Sequence, residues 1–381
     1  MMYQMKKTVF WVAAVSAATF LASCSQEGHK ITVTNDTDLD RYNETIEISK
    51  SDLENVDLNS VTVMDETGTA TPVQVYTDKD GNTKLLFQAS VPAQSEKEYT
   101  VTEGSQATYP VLAYSRYVPE RMDDYAYENN VIAGRIYGPS LEFPRTFGSD
   151  IWVKCTDRLV IDDWFAKADY HHNYGEGMDC YKVDNTLGGG ALVPYTGPDK
   201  FFTGDNYVSQ KHICDGPIRT EAVLEYGPFD VDGKAVSATR VLTLDANSHF
   251  VKWETTFHSA DTDSLSVVLG AVMHDVTGIK NELNWIAFTE KASDSSDPER
   301  DGNISVAVIY DKAELDDNPY YTSGKEAGHA VIITEEKVEK PVITWTGSGW
   351  SQGGVASQDD WAKTVRDFSF AQQHPLKVSV K

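Results

Sequence analysis

The chain of 381 residues is short of cysteine, of basic charge and of long apolar runs, and each shortage removes a class of protein. It has four cysteines, with no Cys-x-x-Cys pair and no Cys/His spacing of the zinc-finger kind, which argues against a structural zinc site. Basic residues number 33 against 58 acidic ones, a net charge of −25. A surface that negative repels nucleic acid and anionic lipid, so nucleic acid is not an expected partner. Past the first two dozen residues no apolar run is long enough to span a bilayer. Motifs are missing too. There is no phosphate-binding Gly-rich loop, dinucleotide fingerprint, Gly-x-Ser-x-Gly elbow or His-Glu-x-x-His pair, which disfavours NTPases, nicotinamide enzymes, serine esterases and common metalloproteases.

The N-terminus carries the most specific signal. Lys6-Lys7 precede an apolar run from Val9 to Leu21, and Leu21-Ala-Ser-Cys24 follows. A positive start, a short apolar core and small residues before a cysteine describe a bacterial lipoprotein signal, residues 1–23, with Cys24 as the lipidated first residue of the mature chain. Residues 24–30 read as a polar tether. The expected location is the bacterial cell envelope, tied to its membrane by the N-terminal lipid alone. Three further cysteines, Cys155, Cys180 and Cys214, leave any disulfide open, because the pairing is not legible.

Short runs with period-two alternation follow, among them Ile31–Val33, Thr45–Ile48, Val61–Val63, Val73–Val75 and Lys84–Phe87, separated by turns such as Asp80-Gly81-Asn82. That pattern predicts an all-β protein, with an N-terminal β-sandwich portion over 31–108 and a large antiparallel β-sandwich over 109–381 that carries the site. Arg219–Tyr226, Val236–Leu244 and Phe250–Phe257 predict an antiparallel meander. The unbroken apolar run Val267–Val272 predicts a strand covered on both faces. One helix is expected near the C-terminus, where Ser357 and Asp360 form a capping signal, Trp361, Val365 and Phe368 share a face, and Pro375 closes the segment.

The densest chemistry lies in Asp169–Gly190. Two adjacent histidines, His171 and His172, stand among Tyr170, Tyr174, Glu176 and Asp179, and Gly175 and Gly177 flank the glutamate. Sugar chemistry needs carboxyl or imidazole groups to move protons and aromatic faces to stack on pyranose rings. Glu128 with Glu176 or Asp179 is the candidate carboxylate pair for hydrolysis. A His171 or tyrosine base, with Arg121, Arg135 or Arg145 clamping a uronate carboxylate, would instead serve elimination or epimerisation. Asp124 is a further candidate substrate contact. Trp350 is a candidate stacking surface, weighed against a role in anchoring the terminal helix. No cofactor is expected; the cluster offers ligands for a divalent cation such as Ca²⁺, without fixed ligand spacing.

Taken together, Glu120-Arg-x-Asp-Asp-Tyr-Ala-Tyr-Glu-Asn, Arg135-Ile-Tyr-Gly-Pro, Asp150-Ile-Trp-Val-Lys, Tyr170-His-x-x-x-Gly-Glu-Gly-x-Asp-x-Tyr-Lys-Val, Gly188-Gly-Gly and Gly349-Trp-Ser, with Trp361 and Pro375-Leu, resemble the domain of unknown function 4861 family. The chain departs from that pattern at Tyr127 and at Asn185-Thr-Leu. The resemblance implies an exported bacterial protein associated with the use of pectin-like or other uronate-containing glycans, and a supersandwich fold similar to galactose mutarotases and some polysaccharide lyases. The expected function is therefore action on a glycan or oligosaccharide by hydrolysis or uronate elimination. The alternatives are a non-catalytic glycan-binding lipoprotein of a polysaccharide-utilisation system and a mutarotase-like sugar isomerase.

Overall fold

Strict alternation along the strands sorts the side chains onto two faces, and the fold follows from what covers each face. The computed structural model describes residues 28–104, 107–167, 169–197, 204–292, 294–312, 320–323 and 328–381. The signal segment and Cys24 lie outside the described residues. The protein is all-β. Its centre is an eight-stranded antiparallel sheet in the order Ser209–Cys214, Arg219–Val231, Lys234–Asp245, Phe250–His258, Pro341–Trp350, Asn303–Tyr310, Trp285–Lys291 and Val276–Glu282. The expected meander forms three neighbouring strands of it.

In the middle of this sheet, Ile304, Val306 and Val308 join Ile286, Phe288 and Val342 in the main core. The alternate residues Ala307, Ile309, Trp285, Ala287 and Trp345 face the other way, into a second apolar cluster under the C-terminal helix. A four-stranded sheet packs over the main core, and its strand Ser264–Met273 is the apolar run expected to be covered on both faces. Residues 267–272 are buried without a break.

The helix spans Gln358–Gln373, capped by Ser357, whose Oγ accepts from the Asp360 N–H at 3.1 Å. Trp361 is buried against Phe250, and its Nε1 donates to the Val306 carbonyl at 2.9 Å. The other end of the helix is closed by a residue far away in sequence. The buried Arg41 donates to the carbonyls of Ala371 and His374 at 2.9 and 2.7 Å. The chain then ends in Lys377–Val380, which pairs with His29–Asn35. The sheets built from residues 29–103 enclose a core of their own, with Val33, Leu85, Phe87 and Val101 at its centre.

The remaining sheet carries the candidate site. Its five strands run in the order Gly177–Asp179, Ser149–Lys154, Ala133–Ile136, Asp124–Asn129 and Ala113–Val118. Tyr125, Tyr127, Ile136, Ile151, Val153 and Met178 point into the main core. The opposite face presents Asp124, Glu128, Arg135, Asp150, Trp152, Lys154 and Asp179. A short helix, Ile161–Phe165, covers its middle through Trp164 on Trp152.

Trp361→Ala should lower stability by about 3–5 kcal/mol through loss of a large buried ring. Equilibrium unfolding in urea reads the effect, and a change below about 1 kcal/mol would contradict the packing described.

Candidate functional site

Arg135 is the centre of the covered face. Its guanidinium is buried, and Nε donates to Asp150 Oδ2 at 2.8 Å, Nη2 to Asp179 Oδ2 at 3.2 Å and Nη1 to Asp124 Oδ2 at 3.4 Å. Register explains the meeting: Arg135 pairs directly with Asp150, and Asp179 pairs with Trp152 two residues further along the same face. The rings of Tyr137, Tyr170 and Trp152 surround the guanidinium with centroids 5.0, 5.7 and 6.0 Å away. One buried guanidinium thus sits among three buried carboxylates, and the charge of Arg121 also reaches Asp124. Burial, reinforced by Asp150, pushes the Asp179 carboxyl well above the usual range. Burial also raises Asp124 to about 6, against the pull of Arg135.

Tyr170 ties this buried node to the surface. Its hydroxyl oxygen accepts from Arg121 Nε at 2.8 Å and from Arg135 Nη1 at 3.1 Å, which leaves its own hydrogen to donate. The His171 ring lies on the Tyr170 ring with centroids 4.6 Å apart. His171 Nδ1 is 3.1 Å from the Asp179 carbonyl oxygen. A carbonyl can only accept, so Nδ1 carries the hydrogen in the neutral ring and Nε2 is the basic nitrogen. The His171 side chain is 45% exposed, so that nitrogen can meet a ligand.

The backbone that positions these groups is strained in places. Met122 and Asp123 both adopt positive φ, 54° and 65°, just before Asp124. The turn is held by Tyr117 and Ser140 donating to the Asp123 carboxylate and by Tyr207 donating to its carbonyl. Gly177 has φ +129°, and a Cβ there would lie 1.9 Å from the Val153 carbonyl oxygen. Only glycine lets the loop rejoin the sheet at that point.

Several expectations are corrected. Glu128 and Glu176 do not form a catalytic pair. Glu128 is fully buried, bound to Lys154 Nζ at 2.9 Å, and accepts the Val160 and Ile161 N–H groups at the start of the short helix. That is a capping and charge-pairing role. Glu176 is held by Arg158 through two hydrogen bonds of 2.5 Å each, which lower its carboxyl below the usual range. Trp350 is not a stacking surface, because it is buried and its Nε1 donates to the Asp301 carbonyl at 2.7 Å. Arg135 is committed to its three aspartates and is no clamp for a substrate. Arg145 pairs with Asp205 at 2.7 Å on the surface. Tyr174 is 55% exposed, with Lys167 Nζ 4.6 Å from its ring centroid.

The structure does bring together Arg121, Asp124, Arg135, Tyr170, His171 and Asp179. Arg121 makes no ion pair within 4 Å among the described residues; its Nε is engaged by Tyr170, and its charge is felt by Asp124. No three His, Cys, Asp or Glu side chains among the described residues are arranged to hold a metal ion. Arg135 occupies the position between the carboxylates that a cation would take. Cys155, Cys180 and Cys214 are all free thiols.

The model of the family described as Domain of unknown function (DUF4861) matches residues 33–378. The chain belongs to this family. A protein of Formosa agariphila, named Uncharacterized protein P7, is 32% identical over 406 residues, covering 98% of this chain and all of that protein. Among solved structures, a protein in the Glycosyl Hydrolase Family 38 from Enterococcus faecalis superposes with a TM-score of 0.50 at 12% identity, covering 93% of this chain and 48% of that one. An α-mannosidase from the same organism gives 0.45 at 10% identity, covering 93% and 46%. The chain thus spans about half the length of these two structures, and the first likeness is one of fold.

For this DUF4861 chain, one member of the node was missed from sequence. Asp150 is 1% exposed and is the closest partner of Arg135. Its signal was an aspartate directly before the apolar Ile-Trp-Val of a strand, where an unpaired carboxylate is costly.

The raised Asp124 carboxyl yields a prediction. The folded state binds this proton more tightly than the unfolded chain, so the group's contribution is most favourable below 3.8 and is lost as pH rises to about 6. Asp124→Asn should remove about 3 kcal/mol of pH-dependence in that window. Unfolding free energies of both proteins across it check the point, and an unchanged slope would contradict the assignment.

Proposed function

We propose that this protein acts on a glycan or oligosaccharide by acid–base chemistry, and that elimination beside a uronate carboxylate is the reaction its site fits best. The observation that carries the reading is the Tyr170 hydroxyl, held by two guanidiniums beside an exposed histidine whose Nε2 is free of the carbonyl that fixes Nδ1. In this scheme the Arg121 Nη groups bind the uronate carboxylate and stabilise the charge that develops on it. His171 Nε2 removes the proton from the carbon beside that carboxylate. The Tyr170 hydroxyl gives its hydrogen to the departing glycosidic oxygen, and the electron pair of the broken C–H bond becomes the new carbon–carbon double bond. Asp179 and Asp150 act through position: they hold Arg135, and Arg135 holds Tyr170.

Hydrolysis fits less well, because the two carboxylates expected to flank a glycosidic bond are bound elsewhere, Glu128 to Lys154 and Glu176 to Arg158. The fold likeness to a glycoside hydrolase family 38 structure agrees with a sugar ligand. The location we propose is the bacterial envelope, through a lipid on Cys24, from the Leu-Ala-Ser-Cys24 order at the end of the apolar run.

The test is a panel of uronate-containing and neutral glycans followed by ultraviolet absorbance and by mass. Elimination gives an absorbing unsaturated end. Tyr170→Phe and His171→Ala should each lower kcat by about 10²–10⁴, while Glu176→Gln keeps most of the parent rate. New ends without absorbance would replace elimination by hydrolysis. Retention of glycan without new ends would leave a binding protein, and anomer exchange alone an isomerase.

A further inference from the structure

A groove of about 970 Å³ opens between the strand Arg41–Ser49, the turn at residues 245–249 and the helix Gln358–Gln373. That size is typical of sites for small organic ligands, roughly 300–1,000 Å³. It is not the Arg135 site. The strand Asp124–Asn129 connects the two: Asp124 touches Arg135, and at the far end Asn129 Nδ2 donates to the carbonyls of Asp245 and Ser248 in the groove turn at 2.6 and 2.8 Å. Five residues of extended chain place these ends about 17 Å apart.

The lining has a particular chemistry. Arg41 pairs with Glu44, Arg219 with Glu47 and Asp245, and Lys363 with Asp367. Arg41 and Arg219 are buried with most of their donors already spent inside the protein, while the carboxylates of Glu44, Glu47, Asp245 and Asp367 keep acceptor sites, which suits a ligand rich in hydroxyls better than an anion. Tyr42 stands at the edge with 71% of its surface exposed, and its hydroxyl donates to Asp40 Oδ2 at 3.1 Å. An aromatic face this open, with its polar end tethered, is a ready platform for an apolar ring face.

We infer that this groove is a second carbohydrate site, holding an extended oligosaccharide stretch through hydroxyl hydrogen bonds and through a pyranose face stacked on Tyr42. It would keep a polymer on the protein while a reacting unit occupies the Tyr170 site. The sugar class rests on the function proposed above; the groove itself does not.

The experiment is native electrophoresis through gels containing uronate-rich or neutral polysaccharide, at low and high salt, with the full chain. The parent protein should be retarded by at least one polysaccharide, and salt should change this little. Tyr42→Ala should weaken retention about tenfold, the equivalent of about 1.4 kcal/mol. Thr364→Arg, which intrudes from the helix, should weaken it as well. Both should keep the parent unfolding midpoint within a few degrees and the parent rate on short oligosaccharides. Tyr170→Phe should stay retarded while losing turnover. Retention unaffected by Tyr42→Ala and Thr364→Arg, or no retention of the parent by any polysaccharide, would overturn the groove. Retention that depends on Tyr42, with no glycan converted by the parent, would leave the groove standing and sink the proposed reaction.

Discussion

The structure of the candidate site depends on one imbalance: a single buried guanidinium, Arg135, set among three aspartates on neighbouring strands. Burying ions is costly unless each is paired and hydrogen-bonded, and removing one partner of such a group leaves charge stranded. Here burial and Asp150 favour the protonated form of Asp179 and hold its carboxyl well above the usual range. The arrangement fixes the register of four strands and leaves Arg135 Nη1 aimed at the Tyr170 hydroxyl. The loop that follows is then pinned, with the Asp179 N–H on the Tyr170 carbonyl and His171 on the Asp179 carbonyl. The orientation of the half-buried Tyr170 and the exposed His171 is thus inherited from a buried charge.

Much of the fold was legible because strand periodicity is a local property. The meander, the doubly covered strand and the capped terminal helix needed only alternation, an apolar run and a Ser-x-x-Asp signal. Tyr170, His171 and Asp179, singled out by the density of reactive residue types in one loop, do converge. What failed was pairing across the sheet. Glu128 and Asp124 lie on one face of one strand, yet one meets Lys154 and the other Arg135, and nothing local tells which. Glu176 looked reactive between two glycines, but Arg158, eighteen residues earlier in the chain, claims it. Trp350 sits in a glycine-loosened stretch that reads as a loop and is the last residue of a central strand, where alternation turns it inward.

The covered face of the site sheet carries two separate charge systems with Trp152 between them. At one end Glu128, paired with Lys154, caps the short helix, and both side chains are buried. At the other end the Arg135 node reaches the surface through Tyr170. Membership of the DUF4861 family places the chain among relatives that share this sequence pattern over nearly its full length, while the chemistry rests on the geometry of these few side chains.

The central claim is that the Arg135 node, with its Asp179 carboxyl held well above the usual range by burial, is what holds Tyr170 in place. Infrared spectroscopy of the protein with isotopically labelled aspartate tests this directly. The prediction is a protonated-carboxyl band that persists well above the usual aspartate range as pH rises and that disappears in Asp179→Asn. Absence of any such band in the parent protein, or a band indifferent to that substitution, would contradict it.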